Sequence, residues 1–121
     1  MNDSLLIIST HAPYVSSHAQ DALEAALAAS NVGVEVSFVL TGLGCNQLTV
    51  NDSMGSSNFI ERKSIPKQLK VLPLYDIDKL FYFCRESFLS ESATGSLDLF
   101  KYINEKSFAE LVNQHRHILR F

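Results

Sequence analysis

Three residues in this chain carry side chains suited to covalent or acid–base work and fall where such work is commonly done: Cys84, Cys45 and His11. Cys84 closes the apolar run Leu80-Phe81-Tyr82-Phe83 and is followed at once by Arg85. A thiol at the end of a strand, beside a helix start and an arginine, is held toward the thiolate, so Cys84 is a candidate nucleophile or sulfur carrier. It has a plainer reading as a small hydrophobe packed at a strand end, since free cysteine is among the most buried residue types. Cys45 lies in Thr41-Gly42-Leu43-Gly44-Cys45-Asn46, and is either a second working thiol or a tolerated small residue. His11 could serve as a base or orient a thiol, or stand as polar surface after a strand. His18, His115 and His117 form no ligand pattern. The last two are two positions apart, which does not put both on one helix face, so no metal site is expected.

The composition narrows what these groups can be doing. At 121 residues, 46% of them hydrophobic, the chain suits one domain with a single core. The formal charge is −3 and no Lys/Arg run exceeds two residues, so no basic face is available to neutralise phosphates and no direct nucleic-acid contact is expected. No apolar stretch approaches the ~20 residues that span a bilayer. The start, Met1-Asn2-Asp3-Ser4, lacks the positive region of a signal peptide, which makes the cytoplasm the expected location. Two cysteines are too few for a disulfide scaffold, and a reducing compartment disfavours a disulfide, so the two thiols are expected to stay unlinked. Neither a P-loop nor a G-x-G-x-x-G fingerprint occurs, and no organic cofactor is implied.

These candidates need elements to position them. Ser4 to Ser9 is a short apolar run that reads as a central first strand covered on both faces. Ser17-His18-Ala19-Gln20 has the form of a capping box, and Ala19, Ala22, Leu23, Ala26 and Leu27 follow at helical spacing until Asn31 and Gly33. Val34 to Leu40 reads as a second strand, parallel to the first through a right-handed crossover. Asn51 to Asn58 is a surface loop or flap by composition. Lys67 to Leu72 is a short helix limited by Pro66 and Pro73. The aromatic run to Cys84 is the third strand and Leu97 to Ile103 a fourth, with a polar loop, Ser90 to Ser96, between them. Ser107-Phe108-Ala109-Glu110 is a second capping box, opening a helix with the stripe Phe108, Leu111 and Val112, and His117 to Phe121 is a last short strand. The fold class is α/β: a single domain over 1–121 with a five-stranded, mostly parallel sheet flanked by helices, flavodoxin-like in kind. In such a sheet, the carboxyl edge is where ligands bind, and His11, Cys45 and Cys84 all approach it.

Leu74-Tyr75-Asp76-Ile77-Asp78 before a strand ending in Cys84, together with the terminal Ile118-Leu119-Arg120-Phe121, resembles the DsrE/DsrF/DsrH family, nearest to its TusC/DsrF branch. The likeness extends to Leu6 to Thr10, the Ala-rich helix from Asp21 and the loop from Gly44 to Leu48, and is weakest at 50–63 and 90–105. The resemblance implies a subunit of a TusBCD-type complex, a dimer of heterotrimers with TusB-like and TusD-like partners. Such a complex relays persulfide sulfur from TusA toward TusE for 2-thiolation of wobble uridine in tRNA. In the family, the sulfur-carrying cysteine belongs to the TusD/DsrE subunit, at the strand end that Cys84 occupies here. The chain is thereby expected to be an accessory subunit that shapes its partner's site. Two alternatives stand beside this: a DsrF-like role in dissimilatory sulfur oxidation, and a persulfide carrier through Cys84 itself.

Overall fold

The computed structural model describes residues 4–11, 17–48, 65–84 and 99–121. Five strands form one sheet: β1 (Ser4–Ser9), β2 (Glu35–Thr41), β3 (Lys79–Phe83), β4 (Lys101–Tyr102) and β5 (His117–Arg120), in the order β4-β3-β2-β1-β5. Every pairing is parallel, with Ile7 opposite Phe38 and Leu119, and Phe38 opposite Leu80. Among the described residues the helices are α1 (His18–Asn31), α2 (Ile65–Val71) and α3 (Glu105–Gln114), with 3-10 turns at Gly42–Leu48 and Leu72–Tyr75.

This order explains the layering. From β1 to β2 to β3 the chain steps in one direction, so right-handed crossovers place α1 and α2 on the same face. From β4 it returns across the sheet to β5, and α3 covers the opposite face. The alternation of side chains follows this division. Ile7, Val36, Phe38, Leu40 and Leu80 pack with Ala22, Leu23 and Ala26 of α1, Leu69 of α2, and Leu72 and Ile77. Leu6, Ile8 and Val39 pack with Leu111 of α3, and Phe81, Phe108 and Val112 lie against them. The first strand is central and buried on both faces, as its unbroken apolar run predicts. Among the described residues, no helix is long and apolar enough to cross a membrane.

Several local expectations are corrected. Ser17 does not cap α1 through a capping box: its backbone is already helical, and its hydroxyl donates to Asp21 Oδ2 at 3.1 Å. Gln20 is likewise spent elsewhere, on Glu24 and Gln68. The helix α3 begins before Ser107, because Asn104, in extended conformation, accepts from the Ser107 backbone N–H at 2.8 Å and is the better cap. Pro66 lies inside the first turn of α2 rather than limiting it, where its missing N–H costs nothing. Of the run read from Leu97 to Ile103, Lys101–Tyr102 alone pairs as a strand among the described residues 99–103. The turn at Tyr75-Asp76-Ile77 is tight: Asp76 is left-handed at φ 64°, and the Ile77 N–H donates to the Leu72 carbonyl, seating the buried Ile77 side chain ahead of β3. The loops read at 51–58 and 90–96 lie outside the described residues, as does Arg85 with the helix start read beside it.

Candidate functional site

The carboxyl ends of β1, β2 and β3 meet where the three candidate residues were expected. His11 follows β1, Cys45 lies in the turn after β2, and Cys84 is the first residue beyond β3. What brings Cys45 inward is the glycine-bearing turn. Gly42 takes a left-handed φ of 58°, which lets the chain double back on leaving β2. Gly44 then passes so close to the end of β1 that a Cβ there would stand 2.1 Å from the Ser9 carbonyl oxygen and 2.8 Å from its carbon. Only glycine fits that approach. The segment, a glycine-containing loop by its sequence, is a 3-10 helix, and Cys45 is left 3% exposed.

Cys45 and Cys84 are joined as a disulfide, with Cα atoms 6.2 Å apart. This corrects the expectation that the two thiols stay unlinked. Its structural reason is the strand order: β2 and β3 are neighbours in register, with Thr41 opposite Phe83, so residues just past their ends converge. Both sulfurs lie 3.9 Å from the Leu40 carbonyl oxygen, and Cys45 Sγ is also 3.8 Å from that of Phe83. The pair is asymmetric, since Cys84 is only partly buried while Cys45 is sealed beneath the turn.

The turn also carries a residue that the sequence reading missed. Gln47 is completely buried; its amide nitrogen donates to Ser9 Oγ at 2.8 Å and to the His11 carbonyl at 3.2 Å, and its Oε1 has no partner among the described residues. A single glutamine in a glycine loop carries no sequence signal for such a role. Gln47 therefore ties the Cys45 turn to the end of β1. That end is itself closed by the last residue: Thr10 N–H and its hydroxyl both donate to the Phe121 carbonyl, and Phe121 N–H donates to the Ile8 carbonyl at 2.8 Å.

The histidines divide. The His11 side chain stays near the edge, its Nδ1 3.2 Å from Thr10 Oγ1 and its ring 4.2 Å from that of His18, and makes no described contact with either sulfur. His115 is structural. Its Nδ1 donates to the Leu111 carbonyl at 2.7 Å, and its Nε2 stands 2.8 Å from the hydroxyl of buried Ser37, so it pins the end of α3 to β2. A carbonyl can only accept, which places the proton on Nδ1 and leaves Nε2 of the neutral ring to accept from Ser37. Among the described residues, no group of three or more His, Cys, Asp or Glu could hold a metal ion.

The sequence profile of the DsrE/DsrF-like family matches residues 3–121. Among solved structures, the chain is similar to the YchN protein of E. coli, with a TM-score of 0.74 at 15% identity over 100% of both chains. It is also similar to a conserved protein of unknown function from Bacteroides thetaiotaomicron, with a TM-score of 0.59 at 11% identity over 97% of this chain and 94% of that one. At these identities the likeness is one of fold. No curated protein sequence matches the chain.

Proposed function

The chain belongs to the DsrE/DsrF-like family, and from that premise we propose that it is a TusC-like subunit of a TusBCD-type sulfur-relay complex. In this reading it assembles with TusB-like and TusD-like partners and helps persulfide sulfur pass from TusA toward TusE, for 2-thiolation of wobble uridine in tRNA. The observation that carries the proposal is the position of Cys84, directly after β3 at the carboxyl edge of the sheet. That is the strand end at which the resemblance places the family's sulfur-carrying cysteine. A supporting feature is the outer strand β5, whose Ile118 and Leu119 are 42% and 46% exposed and offer apolar surface to a partner subunit. The net charge of −3 gives no reason to expect tRNA on the chain's own surface, so the role is exercised through protein contacts.

The test is genetic and chemical together. Deleting the gene in its native host should lower wobble 2-thiouridine, read by mass spectrometry of digested bulk tRNA, and restoring the intact chain should recover it. Unchanged 2-thiouridine in the deletion strain rejects tRNA thiolation and moves the assignment to a DsrF-like role in sulfur oxidation. Complementation with Cys84→Ser then separates the subunit's two modes: full recovery makes it a structural partner, and loss with the complex still assembled makes it a carrier.

A further inference from the structure

We propose that Cys45 and Cys84 form an exchanging dithiol–disulfide pair, in which Cys84 is the attacking thiol and Cys45 the resolving one. The assignment of roles rests on geometry. The two sulfurs are within bonding reach at the ends of adjacent strands, and the Cα separation of 6.2 Å is one that a disulfide spans without backbone movement. Cys84 is partly exposed, so an incoming sulfur compound can reach it, whereas Cys45 at 3% exposure is accessible only to Cys84. A buried thiol beside an accessible one cannot start an exchange with an external S–S bond, but is placed to finish it, because access and alignment govern which sulfur is attacked. Gly44 and Gln47 hold the resolving thiol in place, the first by its close approach to Ser9 and the second by its bonds to Ser9 and His11.

The substrate class is a compound with a reactive S–S bond. With a small disulfide RSSR, the Cys84 thiolate attacks one sulfur, a Cys84–SR bond forms and RS⁻ leaves. The Cys45 sulfur then attacks Cys84 Sγ; the intramolecular disulfide forms and the second RS group leaves as RSH, taking up the proton of the Cys45 thiol. Two thiols are oxidised and one disulfide is reduced. A dithiol reductant supplies the two electrons and two protons that reopen the pair. The same geometry has a consequence that rests on the sulfur-relay reading: a persulfide formed on Cys84 is discharged by Cys45, the terminal sulfur leaving as HS⁻ while the Cys45–Cys84 bond forms. Cys84 thus holds transferable sulfur only when Cys45 is kept from attacking it.

The experiment uses the purified full chain, pre-reduced and then incubated with glutathione disulfide, with mass spectrometry of the intact protein after acid quench and alkylation. The wild type should lose both free thiols and carry no glutathione. Cys45→Ser should accumulate a one-glutathione adduct on Cys84 at least about tenfold above the wild-type level, because the resolving attack is gone. Cys84→Ser should stay unmodified at Cys45. A wild type that retains two alkylatable thiols, or that stops at a stable glutathione adduct, overturns the proposal, and this arm requires no variant to fold. An adduct on Cys45 in the Cys84→Ser chain reverses the roles and overturns it also. A parallel arm with glutathione persulfide reads sulfide release above a protein-free blank together with the one-sulfur mass gain on Cys84: the wild type should release sulfide and end as the disulfide, and Cys45→Ser should retain the added sulfur on Cys84. Absence of sulfide with the glutathione-disulfide arm intact removes the sulfur-relay consequence and leaves the exchanging pair standing.

Discussion

Reducing the Cys45–Cys84 bond should lower the thermal stability of the protein by an amount that the chain itself sets. The two residues are 39 positions apart. In the chain-entropy description, cross-linking a loop of that length removes about 13 cal/mol/K from the unfolded ensemble, which is about 4 kcal/mol at room temperature. On the native side little is lost on reduction, because Cys45 stays packed as a small group near the Leu40 carbonyl, to which an S–H donates weakly, and partly exposed Cys84 has room to shift away from it. For a domain of 121 residues the unfolding entropy is about 0.25 kcal/mol/K, so about 4 kcal/mol corresponds to a fall in Tm of about 16 °C, and roughly half that if native contacts offset part of the effect. The assay is thermal unfolding followed by circular dichroism, with and without a strong thiol reductant, alongside a Cys45→Ala/Cys84→Ala double variant. The wild type should drop by roughly 8–16 °C on reduction and approach the double variant, whose own Tm ignores the reductant. If mass spectrometry shows the pair linked and the wild-type Tm does not move, the entropic reasoning is wrong; if the pair is unlinked in air-oxidised protein, the bridge itself is.

Two further outcomes test one support of the site and one surface ion pair. Gly44→Ala should cost at least about 2 kcal/mol in urea unfolding, since the added Cβ would lie 2.1 Å from a backbone oxygen that cannot rotate away, and it should also slow formation of the Cys45–Cys84 bond. The ion pair of Lys79 with Glu35 tests an ordinary surface contact: the hydrogen bond and charge of Lys79 hold the Glu35 carboxyl below its usual 4.5, so the pair's contribution is full above that pH and fades as pH falls through the lowered value. In Lys79→Ala, an NMR titration should return the Glu35 midpoint toward its usual value with little change in stability at neutral pH, because both side chains are about half exposed; an unmoved midpoint would mean that Lys79 is not its cause.

The parts of this fold that could be read in one dimension are those governed by local periodicity. The buried run Ser4 to Ser9, the alanine stripe of α1 and the aromatic run before Cys84 each declare their type of element through their own pattern. The caps did not follow, because a capping box is a statement about backbone conformation. Ser17 has the right neighbours in sequence but helical dihedrals, while Asn104 has the extended ones. The fourth strand is shorter than its pattern predicts for a related reason: the run to Ile103 is apolar enough to pair, yet β4 is an edge where, among the described residues, the ladder to β3 takes in Lys101 and Tyr102 and one further bond, from the Ile103 N–H to the Tyr82 carbonyl. The site was legible as an edge and illegible as a pair. That Cys45 and Cys84 both follow strands is visible in the sequence; that those strands are neighbours depends on the crossover order of the whole chain. His115 shows the same limit, since its tie to Ser37 joins residues 78 positions apart.

What the structure adds is a mechanical link between the first strand and the thiols. The turn from Gly42 to Leu48 could have followed many paths over the sheet edge, but two contacts restrict it: the close approach of Gly44 to Ser9, and the bonds of buried Gln47 to Ser9 and the His11 carbonyl. Both contacts are made by the backbone or a neutral side chain, so neither changes with the oxidation state of sulfur. Cys45 is therefore held in the same place whether or not it is bonded to Cys84. The freedom to move on reduction belongs to Cys84, which is partly exposed and lies beyond the last residue of β3. A fixed inner thiol and a freer outer one divide the chemistry: the outer sulfur meets the reactant, and the inner one determines how long the product of that encounter survives.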